Sequence, residues 1–368
     1  MSKKPFLCHF IDDVKELPKQ ESTDIKRFLI EKLKIFPPQE SFCNKQVLIL
    51  TRKIDPEVDL IGIKLLQRGI DYCRLNIEDI PREIRIRYTI PHDADSKMEI
   101  SVRGGIINSS KIPVVLLREF DLRSINFNDN DLSNTFSFQQ WEDAYRSLRN
   151  NLKCEWINNP GSTIQASDRL KQLSIAKAVG FNIPSTLITN DPITARNFYY
   201  AHHGNIVLKT IHHHSIEIKK KIYYIYSHAA QKQDLSAFND LVYAPCILQQ
   251  RLDKKSDLRV TVIGKRVFAV ELDSLSTVEG GHDINRCQMC NISKKAINLD
   301  NKTREKCIKL INSLGLKYGA IDFVIDKNAD LFFLEVNPTG DWLWIEENAD
   351  MQITDAMVDL IEGYYRAL

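Results

Sequence analysis

The sequence predicts an α/β protein of several lobes, and three observations carry that reading. The chain is 368 residues long, more than one small core serves. From Lys45 onward, short β-branched runs alternate with helical stretches in the order expected of β-α-β units. Near the C-terminus two apolar strands, Tyr318–Ile325 and Leu331–Val336, follow each other closely enough to pair as a hairpin.

Composition narrows the class. Fifty Lys+Arg stand against 48 Asp+Glu for a formal charge of +2, which removes the usual electrostatic argument for nucleic acid as a partner. At 43% hydrophobic and 27% charged residues the chain matches an ordinary soluble globular protein. No apolar run approaches bilayer length, and Val47-Leu48-Ile49-Leu50 is strand-sized. Met1-Ser2-Lys3-Lys4-Pro5 leads into no signal-peptide core. Eight cysteines without framework spacing read as reduced thiols. The expectation is a cytoplasmic protein with neither nucleic acid nor membrane among its partners.

Residues 1–44 form an N-terminal extension, with a helix expected around Thr23–Ile35 and closed by Pro37-Pro38. Residues 45–160 form a first α/β domain, opening on a small sheet over roughly residues 45–125. Its expected strands are Gln46–Thr51, Tyr72–Leu75, Arg85–Ile90, Glu99–Val102 and Val114–Leu117, with a helix Val58–Gln67 stopped by Gly69. The polar stretch Asn126–Asn134 then leads into a helix ending near Asn151.

A second lobe, 161–245, is expected to carry the helix Asp168–Val179, capped by Ser167 and ended by Gly180. Strands Ile183–Ile188 and Asn205–Thr210 flank the helix Pro192–His202, and Ile216–Ser227 reads as a hairpin. The third lobe, 246–368, has strands Cys246–Gln250, Leu258–Ile263 and Arg266–Leu272. A helix near Lys302–Leu314, the two apolar strands and a terminal helix Thr354–Leu368 complete it.

The two apolar strands carry the strongest chemical signal. A two-residue turn at Asn328-Ala329 sets Lys327 opposite Asp330, and counting back sets Asp322 opposite Glu335. Cross-strand partners share a face, as do residues two apart, so Asp322, Glu335 and Asn337 converge. Three oxygen donors without His or Cys suit Mg²⁺ or Mn²⁺ bridging phosphates. An exposed acidic hairpin is the bland alternative; Ala320-Ile321 and Phe332-Phe333-Leu334 weigh against it, because they imply a buried strand pair.

Lys209 closes the strand Ile206-Val207-Leu208 and is either a strand end reaching water or a phosphate ligand. Ile247-Leu248-Gln249-Gln250-Arg251-Leu252 reads as a strand leaving a sheet, with backbone groups for an adenine edge, and Asp257 suits ribose hydroxyls. Lesser features are His212–His214, Cys287-x-x-Cys290 and Lys219-Lys220-Lys221, read as a solvated loop, two reduced thiols and a hairpin edge. Trp342 and Trp344 suit a substrate cleft or helix packing about equally.

In this order the pieces resemble an ATP-grasp ligase. More closely, the chain is similar to the ATP-grasp maturases of ribosomally made peptides, the microviridin/graspetide type. The stretches that carry the likeness include Val47–Thr51, Cys73–Pro81, Trp156-Ile157-Asn158-Asn159-Pro160, Asp168-Arg169-Leu170-Lys171-Gln172-Leu173, Ala178–Pro192 and Arg259–Gly264. The most specific is Phe333-Leu334-Glu335-Val336-Asn337-Pro338-Thr339-Gly340-Asp341-Trp342-Leu343-Trp344-Ile345-Glu346. The likeness runs from about Lys45 to the C-terminus.

The resemblance implies an ATP-grasp fold: an N-terminal open α/β pre-ATP-grasp domain, a central domain and a C-terminal ATP-binding domain. It implies ATP and Mg²⁺ (or Mn²⁺) as cofactors and a ribosomal precursor peptide, leader plus acidic core, as partner; it admits a homodimer. It gives Lys209 to the α/β-phosphates, the Gln249 side chain and the Gln250 and Leu252 backbones to adenine, and Asp257 to ribose. Asp322, Glu335 and Asn337 hold metal, and Arg259 and Arg286 serve the γ-phosphoryl group and the acyl phosphate.

Two departures stand out. Arg169 replaces the usual Lys beside the start of the central helix, and the loop Thr210–Ser215 has no glycine. The implied reaction activates an Asp or Glu side chain as an acyl phosphate, which a Lys amine or Ser/Thr hydroxyl then attacks. The alternatives are a ligase acting on a free amino acid or protein tail, and a nucleotide-binding module without turnover.

Overall fold

The computed structural model describes residues 45–367 apart from 103–104, 119, 121, 123–131, 212–214, 219–220, 274–292 and 350. The N-terminal extension with its expected helix, Arg286, Cys287-x-x-Cys290, His212–His214 and Lys219-Lys220 lie outside the described residues.

The first part of the chain contains β1 (Val47–Thr51), α1 (Pro56–Gln67), β2 (Tyr72–Asn76), β3 (Ile84–Thr89), β4 (Lys97–Val102), β5 (Gly105–Asn108), β6 (Val114–Leu117), α2 (Leu132–Asn151) and β7 (Glu155–Ile157). Strands β2-β1-β6-β7 form a parallel sheet. Val47, Ile49, Val114, Leu116 and Ile157 pack on one face, and Leu48, Leu50, Val115 and Leu117 on the other. Burial on both faces is why these strands are apolar at successive positions. Helix α1 starts where the Asp55 side chain accepts from the Val58 amide and Pro56 takes the first turn.

The single small sheet expected over residues 45–125 is in fact two. Strands β3-β4-β5 pair antiparallel in a sheet of their own, while β7, from beyond α2, joins the parallel one. The physical cause is burial. In β4, Met98, Ile100 and Val102 are buried and alternate with less buried residues, a one-faced pattern that lies on a core rather than inside it.

Next come α3 (Pro160–Ala166), α4 (Arg169–Val179), β8 (Thr186–Thr189), α5 (Pro192–Ala201), β9 (Ile206–Lys209), the hairpin β10 (Ser215–Ile218) and β11 (Lys221–Tyr224), β12 (His228–Ala229), a 3-10 segment Lys232–Tyr243 and β13 (Cys246–Gln250). Strands β12-β9-β13-β8 form an antiparallel sheet. Ser167 does not cap α4. It ends α3, whose own cap is Asn159, and Asp168 caps α4 by accepting from the Leu170 and Lys171 amides. A carboxylate there also suits the positive end of the helix dipole.

The last part holds β14 (Lys254–Ile263), β15 (Arg266–Asp273), β16 (Ser293–Ile297), α6 (Asn301–Ser313), β17 (Tyr318–Asp326), β18 (Leu331–Asn337), α7 (Leu343–Ala349) and α8 (Ile353–Ala367). They form the antiparallel sheet β16-β15-β14-β17-β18. On one face Leu258, Val260, Val262, Ile321, Phe323, Phe333 and Val336 pack under α4 and α6. On the other, Ile263, Val270, Leu272 and Tyr318 join Trp342, α1, α8 and the parallel sheet in one continuous core. Lys64 of α1 and Arg68, at its C-terminal cap, pair with Asp355 (2.8 Å) and Asp359 (2.5 Å) of α8. The Tyr365 hydroxyl of α8 donates to the Lys45 carbonyl at 3.0 Å.

Phe323 is 1% exposed between Phe181 and Phe333. Phe323→Ala is expected to cost ~3–5 kcal/mol, read as a lower urea midpoint at unchanged slope.

Candidate active site

Asp322 stands opposite Glu335, as the sequence predicts, but the turn that sets the register is not the predicted one. Asp326 faces Asp330, the Asp326 amide donating to the Asp330 carbonyl at 3.0 Å, so the loop has three residues, Lys327-Asn328-Ala329. Ala329 takes the left-handed conformation, φ 67°, that such a loop requires. By itself the longer loop shifts the pairing by one. A bulge restores it: Phe323 faces Phe333 and Asp322 faces Glu335, with Leu334 as the extra residue. The bulge also resolves a conflict of parity. Phe333 and Val336, three apart, both enter the core, while Glu335 and Asn337 turn to the opposite face.

On that face charge is closely balanced. Arg259 of β14, paired with Asp322 in register, donates from Nη1 to both Asp322 oxygens at 2.8 Å. Arg169, the first residue of α4, reaches Glu335 Oε2 at 2.6 Å. Asn337 Nδ2 donates to Asp322 Oδ2 at 2.8 Å and Glu335 Oε1 at 3.3 Å. Desolvation raises the Asp322 carboxyl above its ordinary value; the Arg259 guanidinium opposes this and Glu335 adds to it. The mutual repulsion of the two carboxylates is thus met by two arginines. Even so, two carboxylates and a carboxamide remain a hard-oxygen set that fits Mg²⁺. Among the described residues no group of three or more His, Cys, Asp or Glu could hold a metal.

Two buried amides hold the backbone that carries these ligands. β18 is an edge strand, and its outer groups need partners. Gln172 of α4, 1% exposed, supplies them for Val336: Oε1 accepts from the amide at 2.9 Å and Nε2 donates to the carbonyl at 2.8 Å. Asn158 donates to the Tyr318 and Pro338 carbonyls, both at 2.8 Å, and accepts from the Lys317 and Tyr318 amides at 2.7 and 3.1 Å. Neither role was read from the sequence. The available signal was a Gln on the buried stripe of α4, one turn before Ala176.

The nucleotide candidates lie on the four-stranded sheet and the start of β14. Ile206, Leu208, Cys246 and Leu248 pack on α5 and the 3-10 segment, which turns Lys209 and Gln249 to the opposite face. Lys209 Nζ donates to Gln249 Oε1 at 2.9 Å, and Gln249 Nε2 to Thr186 Oγ1 at 2.9 Å. The Gln250 amide donates to Ser185 O at 2.8 Å. Leu252 lies in the loop between β13 and β14 and is half-buried. Asp257, on the Arg259 face of β14, is held by Lys254 at 2.9 Å. Trp342 is core: it is fully buried and its ring nitrogen donates to Thr354 at 3.0 Å.

A five-stranded antiparallel sheet bearing two carboxylates and a carboxamide, with a second antiparallel sheet presenting a lysine, is similar to the layout of an ATP-grasp site. The model of the RimK-like ATP-grasp domain matches residues 166–361. The chain belongs to the RimK-like ATP-grasp family.

As an ATP-grasp ligase it binds ATP with Mg²⁺. Three solved structures share its fold. The RiPP-associated ATP-grasp ligase of Chryseobacterium gregarium, solved with ADP and a leader and core peptide, is 20% identical with a TM-score of 0.80, over 87% of this chain and 97% of its own. Macrocyclase MdnC of Microcystis aeruginosa MRC, bound to precursor peptide MdnA, is 20% identical with a TM-score of 0.76, over 86% and 99%. Macrocyclase MdnB of the same organism is 25% identical with a TM-score of 0.71, over 86% and 99%. No curated protein matches the sequence.

Gly340 has no room for a side chain. An added Cβ would lie 2.6 Å from Ala320 Cβ and 2.7 Å from Arg259 Nη2. Gly340→Ala is therefore expected to displace Arg259 and cut ATP turnover about tenfold or more in a chain that still folds, measured as ADP release beside circular dichroism.

Proposed function

We propose that this ATP-grasp ligase activates Asp or Glu side chains of a ribosomal precursor peptide, leader plus acidic core, and closes intramolecular amide or ester links. The observation that carries this is the opposed pair Asp322 and Glu335 with Asn337 beside it, gripped by Arg259 and Arg169. Relatives solved with leader, core or precursor peptides support the substrate class. The division at 45–160, 161–245 and 246–368 belongs to the same reading, as do a cytoplasmic location and a homodimer. No helix among the described residues is long and apolar enough to cross a membrane.

In this reading Lys209 meets the α/β-phosphates. The Gln249 side chain and the Gln250 and Leu252 backbones meet adenine, and Asp257 meets ribose. Asp322, Glu335 and Asn337 hold Mg²⁺, which when bound neutralises charge on the transferring phosphoryl group. Arg259 stands beside the phosphoryl group and, with Arg286, steadies the acyl phosphate. Positive charge fixed before the reaction costs no reorganisation during it. The peptide carboxylate takes the γ-phosphoryl group and ADP leaves. A Lys amine or Ser/Thr hydroxyl of the same peptide then displaces phosphate, and tethering in one chain favours closure over hydrolysis.

Glu335→Gln and Asn337→Ala are expected to fold normally and lose Mg²⁺-dependent ADP release, since each removes a hard oxygen or its charge. Lys209→Ala should weaken ATP binding by ~2 kcal/mol in calorimetry with the nucleotide-free melting temperature nearly unchanged. Wild-type behaviour of all three variants would reject the site. The product is the sharper test. With ATP, Mg²⁺ and the precursor peptide, mass spectrometry should show loss of one water per link. A gain of one residue on an acceptor, with a free amino acid required, would instead mark a ligase of free amino acids. Binding of ATP without any ADP release would mark a module without turnover.

A further inference from the structure

Arg118 directly follows β6, far in sequence from the strands that carry the ligands, and its side chain is 1% exposed. Groups from two parts of the chain surround it. From the start of α1 come Asp55, with Oδ2 3.6 Å from Nε, and Glu57, with Oε2 3.9 Å from Nη2. From the five-stranded sheet and the segment after β18, Nη1 donates to the Tyr318 hydroxyl at 3.0 Å and to the Thr339 and Gly340 carbonyls at 3.0 and 3.4 Å. Nη2 pairs with Asp341 Oδ1 at 2.7 Å, and the guanidinium lies 4.7 Å from the Trp342 ring centroid.

Neutralising three carboxylates needs only a cation. Gripping two successive carbonyls, a hydroxyl and a carboxylate at once needs the planar fork of arginine. The carbonyls belong to Thr339 and Gly340, just beyond Asn337, and Gly340 itself abuts Arg259, which holds Asp322. Glu57 adds to the grip by accepting from the Trp342 and Leu343 amides, both at 3.2 Å.

We propose that Arg118 is a positioning residue for the metal site: by fixing the turn from Asn337 to Asp341 it sets the direction of Asn337 and the seat of Arg259 against Asp322. The inference rests on the metal assignment made above. Arg118 touches no ligand itself and acts through the backbone, as outer partners of metal ligands do.

The test is Mn²⁺ binding by the full chain with saturating ADP, followed by electron paramagnetic resonance, on wild type, Arg118→Lys and Asp341→Ala. Arg118→Lys keeps the charge and loses the fork. Asp341→Ala removes one anchor at a side chain that is 45% exposed, so it is the variant that folds if a lysine cannot replace Arg118. Arg118→Lys should weaken Mn²⁺ about tenfold or more, and Asp341→Ala by a smaller factor, with the affinity for ADP in the absence of metal unchanged. A purely structural role would lower the melting temperature while the folded fraction bound Mn²⁺ as tightly as wild type. That result in Arg118→Lys, or in Asp341→Ala should Arg118→Lys not fold, overturns the proposal. Absence of Mn²⁺ binding by the wild-type chain overturns the metal assignment, and this inference with it.

Discussion

Like charges fixed across a strand pair repel, and repulsion in a half-buried place is answered either by protonation or by positive charge alongside. Here the answer is arginine. Arg259 lies in register with Asp322, and Arg169 extends from the first turn of α4 to Glu335. A cation at a helix N-terminus opposes the helix dipole, so Arg169 occupies an unfavourable position for the helix and a useful one for the carboxylate. In the function proposed above, a metal-bound nucleotide would meet carboxylates and arginines that are already oriented.

That orientation depends on backbone held from outside the hairpin. Edge strands are usually the least restrained part of a sheet, yet β18 has a side-chain amide on Val336 and the Asn182 carbonyl on the Phe333 amide at 2.8 Å. The amides and carbonyls are matched in number to their partners, which fixes one geometry more strictly than apolar packing alone. Burial elsewhere keeps side chemistry quiet: desolvation pushes the Cys154, Cys246 and Cys307 thiols up to about 12, well removed from thiolate reactivity.

Much of this was legible in the sequence, because strand parity and oxygen-donor chemistry are local. The convergence of Asp322, Glu335 and Asn337 follows from alternation, and the helix stops at Gly69 and Gly180 from φ values of 68° and 95°. The register was reached through a turn one residue too short. The error cancelled because the bulge at Leu334 adds the residue back, and Phe333 with Val336, both apolar at a spacing of three, was the readable sign of it. What stayed hidden is long-range. Asn158, Gln172 and Arg118 act on backbone some 160 to 220 positions away, and nothing near them in the chain reports that partner. The second sheet of β3, β4 and β5 was hidden for a milder reason: short strands of either layer have the same composition and differ only in how burial alternates.

The final helix closes the molecule in an unexpected sense. Although it ends the chain, α8 packs on α1 and shares its core, and Tyr365 rests against Lys45 at the opening of β1. Packing order and chain order therefore differ: in space the last helix is a neighbour of the first strand. By the same geometry, a chimera that exchanges the parallel sheet between relatives must carry α8 with it, since the surface that helix covers is not the one its sequence position suggests.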